Sequence, residues 1–231
     1  MEHSFISIKK FIKDPYSKIL GYPKASSRQL QSRISELEKL KIKSISFVGQ
    51  TTIGSLQILG KGYVGVVVLA KKGNNVIALK IRRIDSQRSE MRSEAKLLRL
   101  VNTVNVGPKL YDVSKNFLVM EYLEGDKIGD WIQSLQGTGS SKKLKFVVIS
   151  KHVIVGKSRS TLIDFESSSV NRRVSNVTSV TQAIFIGSGI AKKVQRIYNI
   201  PPKQKIIDVL RTYKQEQTRR SFDDILKILK L

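Results

Sequence analysis

Apolar positions change their spacing along the chain, and the change marks the elements. Leu30, Ile34, Leu37 and Leu40 recur at intervals of four, three and three, which places them on one face of a helix. Ser26-Ser27 precede that run, and a serine oxygen at a helix start accepts N–H groups that have no partner within the helix. Gly21-Tyr22-Pro23 separates it from a shorter apolar run between Ile8 and Ile19, read as an earlier helix. A short strand is expected at Ile45–Val48. From Ile53 the residues become β-branched and apolar: Leu56 and Ile58, then Tyr63–Ala70, then Val76–Ile81, with glycine-containing turns between them. Lys72-Gly73-Asn74-Asn75 is a hairpin turn between the last two runs. Helical spacing returns over Arg88–Val101, with Met91, Ala95, Leu98 and Val101 on one face. Two further strands are expected at Lys109–Val113 and Phe117–Tyr122. Three strands, a helix and two strands make this stretch α+β.

Composition narrows the classes. The 231 residues, 40% of them hydrophobic, suffice for one large domain, or for a small module joined to one of about 180 residues. There is no cysteine, so disulfides and thiolate zinc sites are excluded and a reducing compartment is expected. His3 and His152 are the two histidines, too few for a His-rich metal site. The start of the chain lacks the long apolar run of a secretory signal, and Tyr63–Ala70, the most apolar stretch, is too short to cross a bilayer. The expectation is a cytoplasmic protein with no membrane span. The formal net charge of +24 points to polyanionic partners such as RNA, DNA or ribosomal particles. No complete base-reading motif accompanies it. The two N-terminal helices and the strand after them offer a trimmed winged helix-turn-helix as an alternative. The segment is short for that, which favours a helical extension packed on the next domain.

Gly60-Lys61-Gly62-Tyr63-Val64-Gly65-Val66-Val67 fits G-x-G-x-x-G-x-V. In a dinucleotide-binding fold a helix comes directly after such glycines. Here strand patterns stand on both sides. A glycine loop between strands covers the phosphates of a nucleotide with backbone N–H groups. Twenty residues beyond Gly60, Lys80 sits in the apolar run Val76–Ile81. A lysine buried in a strand is costly unless it meets opposite charge. Glu94, on the next helix, is the natural partner, and Glu90 is the reserve.

Together these residues resemble the N-lobe of a protein kinase. Val119-Met120-Glu121-Tyr122-Leu123-Glu124-Gly125 is similar to a kinase hinge, with Met120 as gatekeeper. Thr161-Leu162-Ile163-Asp164-Phe165-Glu166 resembles the strand and D-F-G of that family, with Glu166 in place of the usual glycine. The likeness covers roughly residues 50 to 170, and the short remainder resembles the compact archaeal RIO-type group of atypical Ser/Thr kinases. It implies a bilobal kinase-like fold with a short C-lobe. The parts would be a basic helical extension over 1–48, an N-lobe and hinge over 49–125 and a reduced C-lobe over 126–231. It further implies that Gly60, Lys61, Gly62, Tyr63, Gly65, Val67, Ala78, Lys80, Met120, Glu121, Tyr122, Leu123 and Ile163 hold ATP. Lys80, Glu94 and Asp164 would be catalytic, with Asp164 on Mg²⁺.

The sequence also departs from that pattern. Such a kinase uses a catalytic-loop aspartate and an asparagine soon after it, yet no Asp or Glu occurs from Trp131 to Ile163, and His152 stands where the asparagine is expected. A stretch of roughly twenty residues is missing near Ser150-Lys151 relative to the family. Either the catalytic loop is deleted, or this sequence omits it. Retention of Lys80, Glu94 and Asp164 favours omission and an ATP-dependent Ser/Thr kinase acting on a protein. The alternatives are a catalytically dead ATP-binding module docking on RNA or ribosomal particles, and a small-molecule kinase of the same fold. The apolar residues Leu210, Phe222, Ile225 and Leu229 read as contacts of terminal helices.

Overall fold

The computed structural model describes residues 4–128, 130, 131, 152–163, 176–187 and 189–231. It is a mixed α+β structure with antiparallel sheets and, among the described residues, seven α-helices. Two compact units divide it. The first takes the described residues up to Glu124 and adds Thr161, Leu162 and Ile163; the second begins at Gly125.

A seven-stranded sheet forms the first unit. Its strands are β1 (Phe5–Ser7), β2 (Ile42–Ser46), β5 (Gly60–Lys61), β6 (Gly65–Lys72), β7 (Asn75–Arg82), β8 (Leu110–Val113) and β9 (Phe117–Glu121). The order is β1-β2-β6-β7-β9-β8, with β5 on β6. A separate hairpin joins β3 (Thr51–Ile53) to β4 (Leu56–Ile58). The expected turn at residues 72–75 is there: Lys72 pairs with Asn75, and Gly73 takes φ +60°, a backbone that a Cβ disfavours.

The segment before residue 48 differs from the helical extension read from sequence. A strand, β1, precedes its first expected helix, and that helix is divided into a 3-10 helix over Ile8–Ile12 and one α-helical turn, α1 (Ser17–Leu20). Proline at position 15, which lacks the N–H a helix interior needs, falls between the last two. Helix α2 (Ser27–Lys39) forms as its spacing predicts, with Ser26 and Gln29 in a reciprocal capping box. Strand β2 then pairs with β6 along Ile42↔Lys72 to Ser46↔Leu69. The N-terminal segment thus shares one sheet and one core with strands β6, β7 and β9. Phe11, Ile19, Leu20, Leu37 and Ile45 are buried in a single cluster with Val66, Val68, Leu79, Phe117 and Val119. Fully burying each such side chain is worth about 1.5–3 kcal/mol.

Helix α3 (Arg92–Asn102) starts four residues later than its apolar spacing suggests. Residues before it are held otherwise: the Met91 N–H donates to the Lys115 carbonyl, and Arg82 donates to the Arg88 carbonyl. The buried face of α3 carries Met91, Ala95 and Leu98 against Leu118 and Val64.

In the second unit, β10 (Asp126–Lys127) pairs with β11 (Val153–Val155). Gly125, at φ +154°, lies so close to the Val155 carbonyl that a Cβ would stand 2.3 Å from its oxygen. Strand β12 (Ser160–Leu162), of which only Ser160 is assigned to this unit, comes after a turn closed by the Gly156 N–H and the Arg159 carbonyl. Helices α4 (Asn176–Phe185), α5 (Gly189–Ile197), α6 (Lys203–Glu216) and α7 (Arg219–Leu229) complete the described chain. Their core is Phe185, Ile206, Leu210, Ile225 and Leu229, with the Tyr198 hydroxyl donating to the Leu229 carbonyl. Phe222 is half-buried and packs edge-wise on Tyr213.

Candidate functional site

Strand β7 is buried on both faces, and its alternation decides what each face holds. Ile77, Leu79 and Ile81 point into the large cluster around Phe11 and Phe117. Ala78 and Lys80 therefore point the other way. Register neighbours in an antiparallel sheet share a face, so two rows run across this side: Leu69–Ala78–Met120 and Val67–Lys80–Leu118. Four expected site residues, Val67, Ala78, Lys80 and Met120, thus lie on one face. Val67 and Met120 are only half-buried, whereas Ala78 between them and Leu69 beside them are closed off.

Lys80 meets Glu94 there. The Lys80 Nζ lies 2.7 Å from Glu94 Oε1, and each side chain is only 6% exposed. Glu94 stands in the first turn of α3, where the helix dipole also favours a carboxylate. Its second oxygen, Oε2, is buried with no hydrogen-bond partner among the described residues. Glu90, the reserve candidate, is engaged elsewhere, at 3.1 Å from the exposed Arg92.

The glycines play unlike parts. Gly60 and Lys61 pair with Val67 and Val66 as β5, and the turn closes where the Gly62 N–H donates to the Gly65 carbonyl at 2.9 Å. Gly65 is required by packing: a Cβ there would lie 2.7 Å from the Ile81 oxygen and 3.1 Å from Lys80 Cγ. A Cβ on Gly60 would meet nothing within 4 Å. Space above Gly60 is therefore available, and the fold does not need that glycine. Tyr63, at the tip of the turn, is 90% exposed.

Residues not singled out from sequence hold this turn. Arg83 donates from its backbone to the Val64 carbonyl and from Nη1 to the Gly62 carbonyl. Its guanidinium lies over the Tyr22 ring at 5.1 Å, and Lys61 Nζ reaches the same ring at 5.3 Å. Cations over an aromatic face attract its quadrupole. The Tyr22 carbonyl accepts the Ile84 N–H. Asp85 grips Arg83 at 2.6 Å, which raises the Arg83 pKa and lowers that of Asp85. No local sequence signal joins Tyr22 to residues about sixty positions away.

A second unforeseen network fixes the start of α3. Asn116 gives its backbone N–H and its side-chain amide to Glu36 at 2.7 Å each, and its oxygen accepts from Arg82 and Arg33. Arg33 also donates to the Leu20 carbonyl and is 2% exposed. Burial, then the neighbouring Arg82 charge, pulls its guanidinium down to about 10, which leaves it cationic at neutral pH.

Of the expected hinge, Glu121 ends β9 and pairs its N–H with the Lys109 carbonyl, while its carboxylate accepts the Lys109 N–H. Tyr122 and Leu123 are half-buried, and burial, then the Glu124 charge, raises the Tyr122 hydroxyl pKa. Ile163 is half-buried just after β12, and His152 is a turn residue just before β11. Asp164, Phe165, Glu166 and the chain around Ser150-Lys151 lie outside the described residues. No group of three or more His, Asp or Glu that could hold a metal occurs among the described residues. No helix among them is long and apolar enough to cross a membrane. No family model matches the chain, and no curated protein matches its sequence.

Proposed function

We propose that this chain is an ATP-dependent phosphotransferase of the protein kinase type, moving the γ-phosphoryl group of Mg-ATP to a Ser or Thr hydroxyl of a protein, or of itself. One observation carries the reading: a lysine sealed in a central strand at 2.7 Å from a helix carboxylate, beside a glycine-rich turn. Burying two charges is expensive, and their attraction seldom repays it. Such a pair is better explained as a device that holds an ammonium at a fixed point for an anionic ligand.

The residues fit a nucleotide. Val67, Ala78 and Met120 offer an apolar, half-open face to a base, and the hinge Glu121 to Leu123 borders it by chain order. Gly60, Lys61, Gly62, Tyr63 and Gly65 supply a turn with room above Gly60 for phosphates. Lys80 would bind the α- and β-phosphates, and Glu94 would orient it. Magnesium is commonly held by one or two carboxylates together with substrate phosphates; Asp164 would be its protein ligand, with Ile163 lining the same site. Mg²⁺, when bound, would offset charge on the β- and γ-oxygens. Catalysis of this kind is mostly positioning and electrostatics. In this reading the whole chain is a bilobal kinase-like protein with a reduced C-lobe and an N-terminal segment over 1–48 bracing its N-lobe.

A second reading rests on the lack of any Asp or Glu from Trp131 to Ile163: a dead, ATP-binding module. Radiolabelled transfer from Mg-ATP to a casein mixture and to the chain itself decides between them. The kinase reading expects transfer by the intact protein and background counts for Lys80→Ala and Asp164→Ala, both still folded by circular dichroism. Unchanged transfer by either variant overturns it. ATP binding without transfer selects the dead module.

A further inference from the structure

A groove of about 1080 Å³ opens in the first unit, between the 3-10 helix, the α2–β2 junction, the β6–β7 turn and β8. None of the residues assigned to the nucleotide lines it, so its chemistry is independent of that assignment. Lys9, Lys41, Lys43 and Lys72 line it, against a single acid, Glu38, and Tyr111 stands on its wall with half of its surface exposed. Lys72 is neutralised by Asp112 at 2.7 Å. Lys9, Lys41 and Lys43 are exposed and make no ion pair among the described residues.

Lys41 is the informative one. It comes after the last turn of α2 with φ +60°, the left-handed position where helices usually end on glycine or asparagine. A lysine there strains the backbone. Its N–H closes onto the Glu38 carbonyl as a glycine's would. The side chain is exposed and lines the groove. The same left-handed helix end is taken by Gln217 and Lys230, so it is the place of Lys41 on the groove that sets it apart.

We propose that this groove binds single-stranded RNA, with Lys9, Lys41 and Lys43 on successive phosphates and a base stacked on Tyr111. Three cations with no ion pair among the described residues, in a concave site, suit a polyanionic chain. An exposed aromatic ring among them suits a strand whose bases are free to stack. A duplex keeps its bases inside, and RNA is the nucleic acid that commonly presents unpaired ones. A lipid surface is too flat to enter a groove, and an acidic peptide has no base for Tyr111.

Fluorescence anisotropy with the full chain and a labelled twelve-nucleotide oligouridylate tests this, in low and moderate potassium chloride. The intact protein should bind, and affinity should fall steeply with salt. Tyr111→Ala should weaken binding about 5- to 150-fold, as loss of one stacked base does. Lys41→Gly and Lys43→Ala should each weaken binding and reduce the salt slope by about one. Lys41→Gly should melt no lower than the parent, because glycine relieves the strain. Lys227→Ala, an exposed lysine of α7, should bind like the parent. Equal losses in Lys227→Ala and the groove variants would mean that net charge alone binds, and would overturn the proposal. So would unchanged binding in Tyr111→Ala, equal affinity for a twelve-base-pair DNA duplex, or full displacement by polyglutamate with Tyr111 immaterial.

Discussion

Lys80 and Glu94 are each tolerable because of the other. Removing one partner of a buried pair leaves an uncompensated charge and costs about 3–5 kcal/mol, whereas replacing both with apolar residues is often neutral. Urea melts should show Lys80→Met losing stability of that order and Lys80→Met/Glu94→Leu regaining most of it. The glycines allow a sharper separation of fold from function. Gly60→Ala places its methyl in open space, whereas Gly65→Ala drives one into the Ile81 carbonyl. Gly60→Ala should leave the melting temperature unchanged while weakening ATP binding measured by calorimetry. Gly65→Ala should lower the melting temperature by several degrees whether or not nucleotide is present.

At the scale of elements, α2 and α3 are joined through a residue that belongs to neither. Asn116, in the β8–β9 turn, satisfies Glu36 of α2 and receives Arg82, which in turn holds the chain entering α3. Networks of this kind are worth most when every member is paired. Asn116→Ala would leave the buried Arg33 and the Glu36 carboxylate short of partners. It should cost about 2–4 kcal/mol in denaturant unfolding. It should also raise hydrogen exchange in the first turn of α3, where Glu94 sits. A mild loss confined to α2 would show that α3 is positioned without this network. Much of the elements themselves was legible: the serine cap before α2, the hairpin at Gly73, the strands on either side of the glycines. The start of α3 was not, because its apolar face continues upstream through Met91 while tertiary hydrogen bonds claim the backbone there.

For the whole molecule, the first unit depends on the segment before residue 48. Strands β1 and β2 extend its sheet, and Phe11, Ile19 and Leu20 fill its core. Deleting residues 1–48 would bare the edge of β6 and the apolar surface beneath it, and open apolar edges template aggregation. The truncated chain should be insoluble on expression; a soluble, cooperatively folded product would show that the segment is dispensable.

Read alone, the order of residues settled local matters. Apolar period, capping residues, turn glycines and charge act within a few positions, so they name strands, helices, the G-x-G-x-x-G run and the uncommon lysine in a strand without knowledge of the rest. Which of these meet was left to the folded chain. Register put Val67, Ala78, Lys80 and Met120 on one face, and β2 drew the N-terminal segment into the sheet. Packing brought Tyr22 under Arg83 and joined Asn116 to Glu36, eighty residues apart. Such pairings become favourable only after the intervening chain has been ordered, at an entropic cost no local pattern records.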